Sequence, residues 1–486
     1  MPNDSRTLVL VGVAAVTQRE EDPSRAREPV ELMIAALAAA AADAGTRALL
    51  SRADSIRAPR GFWQYSDPCR MIAERFGASR ARTEVAEIGV LQTTLFGRAA
   101  ADIAAGRADV VLITGGEARY RALRASITGQ QATDTPQVGV TPDSVLRPAE
   151  DILDPLELQH GLVTPVIQYA MIENALRAAE GVSVNAHQDE LAALGARMSQ
   201  VAAANPEAWS REAVSAETIR RARTLAFPYT KLHVSQWNVD QAAGLILCSV
   251  GTARAVGIPR ERWVFPLAVA ESNHMLPLSR RRVLHRSPGF AMAGGRVLQR
   301  IGRRAADLKH VELYSCFPSA VRIQLRELGL PLDRLPTVCG GMVFAGGPLN
   351  NFVLQAQVKM AQVLRGDPGS VGLVTAVSGM ITKQGVTAWS TEPPADGVRF
   401  DDVTAETAAQ TEAVELIAER TGHATVVSYT VVYQGAAPER ALLLCQLEDG
   451  RRTLCDSTDP AVMDALMREE GCGRPVRITV GQIDLT

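Results

Sequence analysis

Cysteine in metal-binding or disulfide-forming arrangement is missing from this sequence. Its seven cysteines (Cys69, Cys248, Cys316, Cys339, Cys445, Cys455 and Cys472) are odd in number and none stands in a CxxC pair. Neither a disulfide framework nor a zinc site is indicated. A basic excess is missing as well: 51 Lys and Arg meet 53 Asp and Glu, for a formal net charge of −2. Nothing would draw the phosphates of a nucleic acid, so that partner is set aside. No stretch reaches the roughly 18 unbroken apolar residues of a membrane helix. The first apolar run, LVLVGVAAV at residues 8–16, is strand-length, and charged TQREEDPSR follows where a signal peptide would carry its cleavage site. A soluble protein of a reducing, cytoplasmic compartment is expected.

What is present is ordinary globular material in a chain of 486 residues, 47% apolar and 21% charged. That length exceeds a single core, so more than one domain is expected. Residues 8–16 read as a buried strand and residues 28–43 as an Ala-rich helix ended by Gly45. Residues 93–105 read as a helix stopped by Gly106, and the apolar run VVLIT then ends in Gly115 and Gly116. The same order returns at residues 352–364, with Gly366, the strand VGLVTAV and Gly379. This repeat points to an α/β core with a buried sheet in each half. Between the halves strand signals are rare, and residues 173–179, 187–205 and 211–223 look helical, an insertion placed to clasp a ligand. After TEPPADG at residues 391–397, one helix at 405–420 precedes strands at 424–433, 441–447 and 476–480, with a helix at 460–469. This last part reads as a small β-rich, barrel-like module. Its charged stretch EDGRR has no aromatic interleaving for base stacking, and Tyr429 and Tyr433 alternate on one half-buried strand.

Several segments resemble a known family. Residues 103–116 (IAAGRADVVLITGG) resemble the segment that follows the nucleophile in thiolases, and 181–194 (GVSVNAHQDELAAL) the helical loop domain that covers coenzyme A there. Residues 238–249 (NVDQAAGLILCS) look like the opening of the second thiolase half, and 340–351 (GGMVFAGGPLNN) like the segment carrying the GHP motif. With YSCFPSAV at 314–321 and the tail segments 428–447 and 457–476, the pattern is most similar to the thiolase-like protein type 1 family, relatives of the sterol-carrier-protein thiolases with an added C-terminal domain. The resemblance implies a duplicated α/β thiolase fold of five layers (αβαβα). Its parts would be an N-terminal half at 1–120, a helical loop domain over the CoA site at 121–235, a C-terminal half at 236–397 and an added β-barrel-like, OB-like domain at 405–486.

A thiolase needs a cysteine nucleophile, a second cysteine to move the α-proton, an activating histidine and donors for the enolate oxygen. Counted back from residues 108–110, the nucleophile position holds Gly89, while Thr93 and Thr94 fall inside the following helix. The GHP histidine position holds Gly347, the CxG motif reads AVSG at 376–379, and NEAF corresponds to YSCF at 314–317. A covalent acyl-enzyme of the usual kind is therefore not expected. Glycines 89, 115, 116, 340, 341, 346, 347 and 379 would still let backbone N–H groups approach a thioester oxygen, or would simply serve strand-to-helix turns.

Cys316 lies in a segment that thiolases place by the reaction centre, and it could equally pack as a small hydrophobe. His274 and His285 are candidate bases off the thiolase positions. The other histidines show no ligand spacing, and no metal site is indicated. Asn350 could hold a thioester or a water, or cap the next helix together with Asn351. Gly89, Gly346, Gly347 and Gly379 are candidate substrate-binding glycines; Ser235 and Gln236 stand where the resemblance puts CoA contacts, and Asp240 has a structural role in the family. Three functions stay open. One is an acyltransferase acting on CoA thioesters without the usual cysteine. Another is a retro-aldol lyase for a β-hydroxyacyl-CoA, with His274, His285 or Tyr314 as base. The third is a non-catalytic acyl-CoA binder or partner subunit. CoA or an acyl-CoA is the expected ligand, with no covalently bound cofactor. Thiolase-fold proteins commonly pair through the core strand beside the nucleophile; here that stretch, TEVAEIGV, is interrupted by Glu84 and Glu87, so a homodimer and a monomer both stay open.

Overall fold

The computed structural model describes residues 4–395, 397–418, 420–479 and 482–485. Five strands come first: β1 (Leu8–Gln18), β2 (Ser55–Pro59), β3 (Arg82–Ala86), β4 (Val110–Ala118) and β5 (Ser144–Leu146). A helical stretch follows, Pro165–Glu180, Val184–Ala204 and Ala216–Arg221, with the short strands β6 (Thr224–Ala226) and β7 (Tyr229–Thr230) near its end. Then come β8 (Asp240–Ser249), β9 (Phe265–Ser272), β10 (His310–Glu312), β11 (Val371–Ser378), β12 (Lys383–Ser390) and β13 (Arg399–Asp402). The last five strands are β14 (Gly422–Gln434), β15 (Ala437–Leu447), β16 (Arg452–Ser457), β17 (Pro475–Thr479) and β18 (Gln482–Leu485).

The duplication is written in the topology. The first sheet runs β1-β8-β4-β2-β3-β5 and the second β10-β11-β12-β9-β13. In the first, β1 pairs antiparallel with β8, β8 antiparallel with β4 and β4 parallel with β2; in the second, β9 pairs antiparallel with β12, β12 antiparallel with β11 and β11 parallel with β10. The expected repeat of helix and strand falls on equivalent elements: helix Gln92–Ala104 leads to β4, and helix Phe352–Gly366 leads to β11. Both helices pack against both sheets, while Pro29–Asp43 covers the outer face of the first sheet and Pro288–Ile301 lies on the second. Helix, sheet, paired central helices, sheet and helix make the five layers. Strand alternation supplies both faces: Leu8, Leu10, Leu245 and Leu247 point to the central core, Val9, Val11, Ile246 and Cys248 to the outer one.

Two expectations are corrected. Residues 238–249 do not open the second half; β8 lies inside the first sheet between β1 and β4, so the second half begins its sheet at β9. The helix expected at 405–420 is only Thr404–Ala409 long. Beyond it the backbone pairs elsewhere, Ala413 with Arg281 and Leu416 with Arg452, and that pairing ends the helix. Glu419, like Asp396 at the expected boundary and Val480 at the end of an expected strand, lies outside the described residues.

The C-terminal module orders its strands β16-β15-β14-β17-β18, and β14 also pairs with β6 of the helical region. Its sheet has two apolar faces. Leu442, Leu444 and Leu454 join the central core. Leu443, Cys445 and Cys455 instead pack with Val462, Met463 and Leu466 of helix Pro460–Arg468. Polar ties add to this: Asn174 Nδ2 donates to the carbonyls of Phe227 and Tyr429 at 3.2 and 2.9 Å, and Arg177 pairs with Glu470 at 2.8 Å. Arg452 is buried and its guanidinium donates to the carbonyls of Ser279, Arg281 and Arg282. Burial pushes it down to about 10. Arg452→Met would leave these carbonyls without their charged donor, and we expect it to lower stability by about 2–4 kcal/mol. A urea melt checks this, and an unchanged midpoint would show that Arg452 does not pin the module.

Candidate functional site

The three positions where thiolase chemistry would sit are closed by packing. Gly89 lies between β3 and helix Gln92–Ala104 with φ +103°, and a Cβ there would come within 3.0 Å of Pro148, two residues beyond β5. At Gly347 a Cβ would stand 2.0 Å from Ser235 Oγ. Val377 is buried near the end of β11. At Gly346, which has φ +102°, a Cβ would meet Gln241 Oε1 at 2.0 Å.

Ser235, Gln236, Gly347 and Cys316 are brought together. The Ser235 N–H donates to Cys316 O at 3.2 Å and the Gln236 N–H to Met342 O at 3.0 Å, and Gln236 O accepts from Gly347 N at 2.8 Å. Cys316 is buried, and that burial pushes its thiol up to about 12. Its neighbour Phe317 stacks on Tyr169 with ring centres 4.5 Å apart. This cysteine is built into packing, where the thiolate is scarce at neutral pH. Asn350 Oδ1 accepts from Gln92 Nε2, while Asn350 Nδ2 and both amide ends of Asn351 are buried with no protein partner.

A second polar group stands where the nucleophile would. Lys383 is buried at the start of β12, and its Nζ donates to Gly89 O at 3.0 Å. Burial holds its pKa below the ordinary lysine value, against the pull of Glu150 and Glu271. Glu271 in turn accepts from the Thr93 and Thr94 hydroxyls at 2.9 Å. Burial raises the Glu271 pKa.

Strand alternation turns the next residue, Gln384, the other way. It faces a cavity of about 400 Å³ beside Gly379, walled by the 274–292 segment and by Ile381 and Thr382. Residues Thr407 to Glu412 close it from the far side. Met380 and Ile381 hold the left-handed region at φ +54° and +65°, a conformation that side-chain-bearing residues rarely keep outside functional turns. Arg281 lines this cavity and donates to Gly379 O at 3.3 Å. His274 lines it too, with Nε2 buried and unpartnered. Burial depresses the His274 pKa, Glu150 opposing and Arg281 adding, so the ring is a neutral base at pH 7. His285 does not line the cavity; it is half-buried near Arg326 and Arg286, and burial lowers its pKa as well. Lys383, Arg281, Gln384, Pro148 and Glu150 were missed. Lys383 and Gln384 follow Gly379 closely enough to have been found; Pro148 and Glu150 lie in irregular chain far from the motifs in sequence.

The edge of the first sheet is also occupied. β5 pairs parallel with β3, so that Glu84, Val85 and Ala86 face Ser144, Val145 and Leu146. Glu84 is buried and paired with Arg98 at 2.7 Å. The strand beside the Gly89 turn therefore has both neighbours within this chain.

Residues 403–482 match the additional C-terminal domain of thiolase-like protein type 1. A monomeric SCP2-thiolase-like protein type 1 from Mycobacterium smegmatis has a similar structure throughout, with a TM-score of 0.82 and 29% identity over 99% of this chain and 100% of that one. The chain thus resembles the thiolase-like protein type 1 family in its last domain and in its whole fold. Two further solved structures share the fold over about four-fifths of this chain. An Ltp2-ChsH2(DUF35) aldolase gives a TM-score of 0.61 at 21% identity, over 80% of this chain and 99% of that one. A human mitochondrial 3-ketoacyl-CoA thiolase in complex with CoA gives 0.59 at 16% identity, over the same shares. Comparison with curated proteins gives no match. Among the described residues no helix is long and apolar enough to cross a membrane.

Proposed function

We propose that this protein holds a CoA thioester non-covalently and forms no acyl-enzyme. One observation carries this reading: Pro148 lies over Gly89 and Ser235 Oγ fills the side-chain position of residue 347, so the places of nucleophile and activating histidine are occupied by the chain itself. The thioester part of the reading draws on the thiolase fold, one member of which is known in complex with CoA. Any acyl transfer would need donor and acceptor bound together, since no side chain carries the acyl group between them. The C-terminal module, whose β16 and β18 lie near each other at the ends of its sheet, fits a partly open OB-like barrel and supplies one wall of the cavity.

His274 favours a second reading, carbon–carbon cleavage of a β-hydroxyacyl-CoA. Its free, neutral Nε2 borders the cavity, and retro-aldol cleavage needs one general base and donors for the enolate oxygen but no nucleophile. Mass spectrometry of the protein with acyl-CoA and β-hydroxyacyl-CoA panels tests both. Thioester binding with unmodified protein is expected, and an added acyl mass would overturn the first reading. Release of aldehyde or ketone, lost in His274→Gln, would establish the second.

A further inference from the structure

We infer that the cavity beside Gly379 takes a carboxylate on the acyl group, with Arg281 as its partner. The inference rests on the thioester reading for the rest of the ligand. Arg281 is 6% exposed, yet its guanidinium donates only to carbonyls, those of Leu276 at 3.1 Å and Gly379 at 3.3 Å. Among the described residues no carboxylate lies within 4 Å of it. Glu157, the carboxylate that acts on it from further away, is engaged by the N–H and hydroxyl of Ser279 and by the Asp154 N–H. A buried cation with no carboxylate in contact is incompletely compensated for its lost hydration, and an anionic ligand in the adjoining space would pair with it.

The other charges of the cavity wall are already matched. Arg286 grips Glu327 through Nε and Nη2 at 2.6 and 3.0 Å, and Arg282 faces Glu412 at 3.4 Å. Three arginines against two glutamates leave one positive charge over, and by partnership it is that of Arg281. Two uncharged groups wait beside it: His274 Nε2 and Gln384 Oε1 both border the cavity, buried and without protein partners. In the Nε2–H tautomer, which excludes the base role of the second reading, the imidazole donates to a carboxylate oxygen, while the amide oxygen calls for a donor, such as a hydroxyl on the same acyl chain. Helix Pro288–Ile301 begins at this wall and adds its positive end, although the Ser287 N–H is taken by Glu327. Glu150 also acts electrostatically on His274. The added C-terminal domain completes the arrangement. It contributes Thr407 and Glu412 to the wall, and through Arg452 it holds the carbonyls of the 279–282 segment that presents Arg281.

Isothermal titration of the full chain with succinyl-CoA, butanoyl-CoA and free succinate tests this, the two thioesters having four-carbon acyl groups that differ in the carboxylate. Succinyl-CoA is expected to bind at least ten-fold more tightly than butanoyl-CoA, and Arg281→Met to lower succinyl-CoA affinity at least ten-fold. If Arg281→Met fails to fold, His274→Gln, at a half-buried position, is expected to narrow the preference several-fold. Equal affinity for the two thioesters overturns the carboxylate site and leaves the thioester reading standing. Binding of succinate without either thioester keeps the anion site and overturns the thioester reading. Binding of none of the three overturns both.

Discussion

Removal of residues 403–486 is expected to leave a chain that does not fold, rather than a trimmed thiolase-fold core. The additional domain looks separable because five strands and a helix at the end of the chain supply most of one sheet and of one apolar cluster. Its sheet nevertheless has two apolar faces, and one of them belongs to the rest of the molecule. Val403, Leu442, Leu444 and Leu454 are buried in the central cluster with residues of both halves. Each fully buried leucine contributes about 1.5–3 kcal/mol, so three of them approach the whole stability of a typical domain, about 5–15 kcal/mol. The cut would also strip Arg177, a buried cation, of Glu470 and the Tyr429 hydroxyl. Leaving such a charge unpaired costs about 3–5 kcal/mol more. Solubility and circular dichroism of the 1–402 fragment decide the matter. A soluble fragment with a cooperative melt would show that the domain is an appendage.

This entanglement explains what could and could not be read from the residues. Local order was legible: the recurring helix and strand that lead to Gly115 and to Gly379 fall on equivalent elements of the two halves, and the helical insertion and C-terminal strands appear near their expected places. Pairing across long sequence gaps was not. β8 looks like the start of something new because the long helical insertion separates it from β4, its antiparallel neighbour. β5 is three residues long, too short for a periodic signal, yet it covers the strand edge and leads to Pro148. The absence of cysteine and histidine at the motif positions was plain in the sequence; what replaced them was not. Arg281 stands in a run of arginines, SRRR, that reads as a solvated face, and only the fold buries it without a carboxylate. Tertiary pairing likewise shortened the helix at Thr404–Ala409, because the Val414 N–H goes to Arg280 O and the Ile417 N–H to Arg452 O.

Putting the histidine back should fail. Gly347→His is expected to destabilise the protein by at least about 3 kcal/mol, an overpacking effect at the upper end of the usual range. The reason lies in what surrounds the glycine. A Cβ at 347 would stand 2.0 Å from Ser235 Oγ and 3.3 Å from Met342 Cε. Ser235 has little room to withdraw, because its own N–H is bound to Cys316 O and the next residue is bound to both Met342 and Gly347. Ser235→Gly should therefore restore part of the loss, with a coupling of about 1–3 kcal/mol in a double-mutant cycle read by urea unfolding. Gly89→Cys meets a second obstacle, since φ +103° is strained for any side-chain-bearing residue by about 1–3 kcal/mol and Pro148 occupies the space above. A chain carrying Gly89→Cys, Gly347→His and Val377→Cys together should thus gain no acyl mass on incubation with acetyl-CoA. If Gly347→His proves neutral, or the triple variant becomes acylated, these positions are open, and the absence of cysteine and histidine there would be reversible by substitution. If both results come out as expected, the thiolase centre has been rebuilt around its missing residues, and the chemistry must be sought at Lys383, His274 and Arg281.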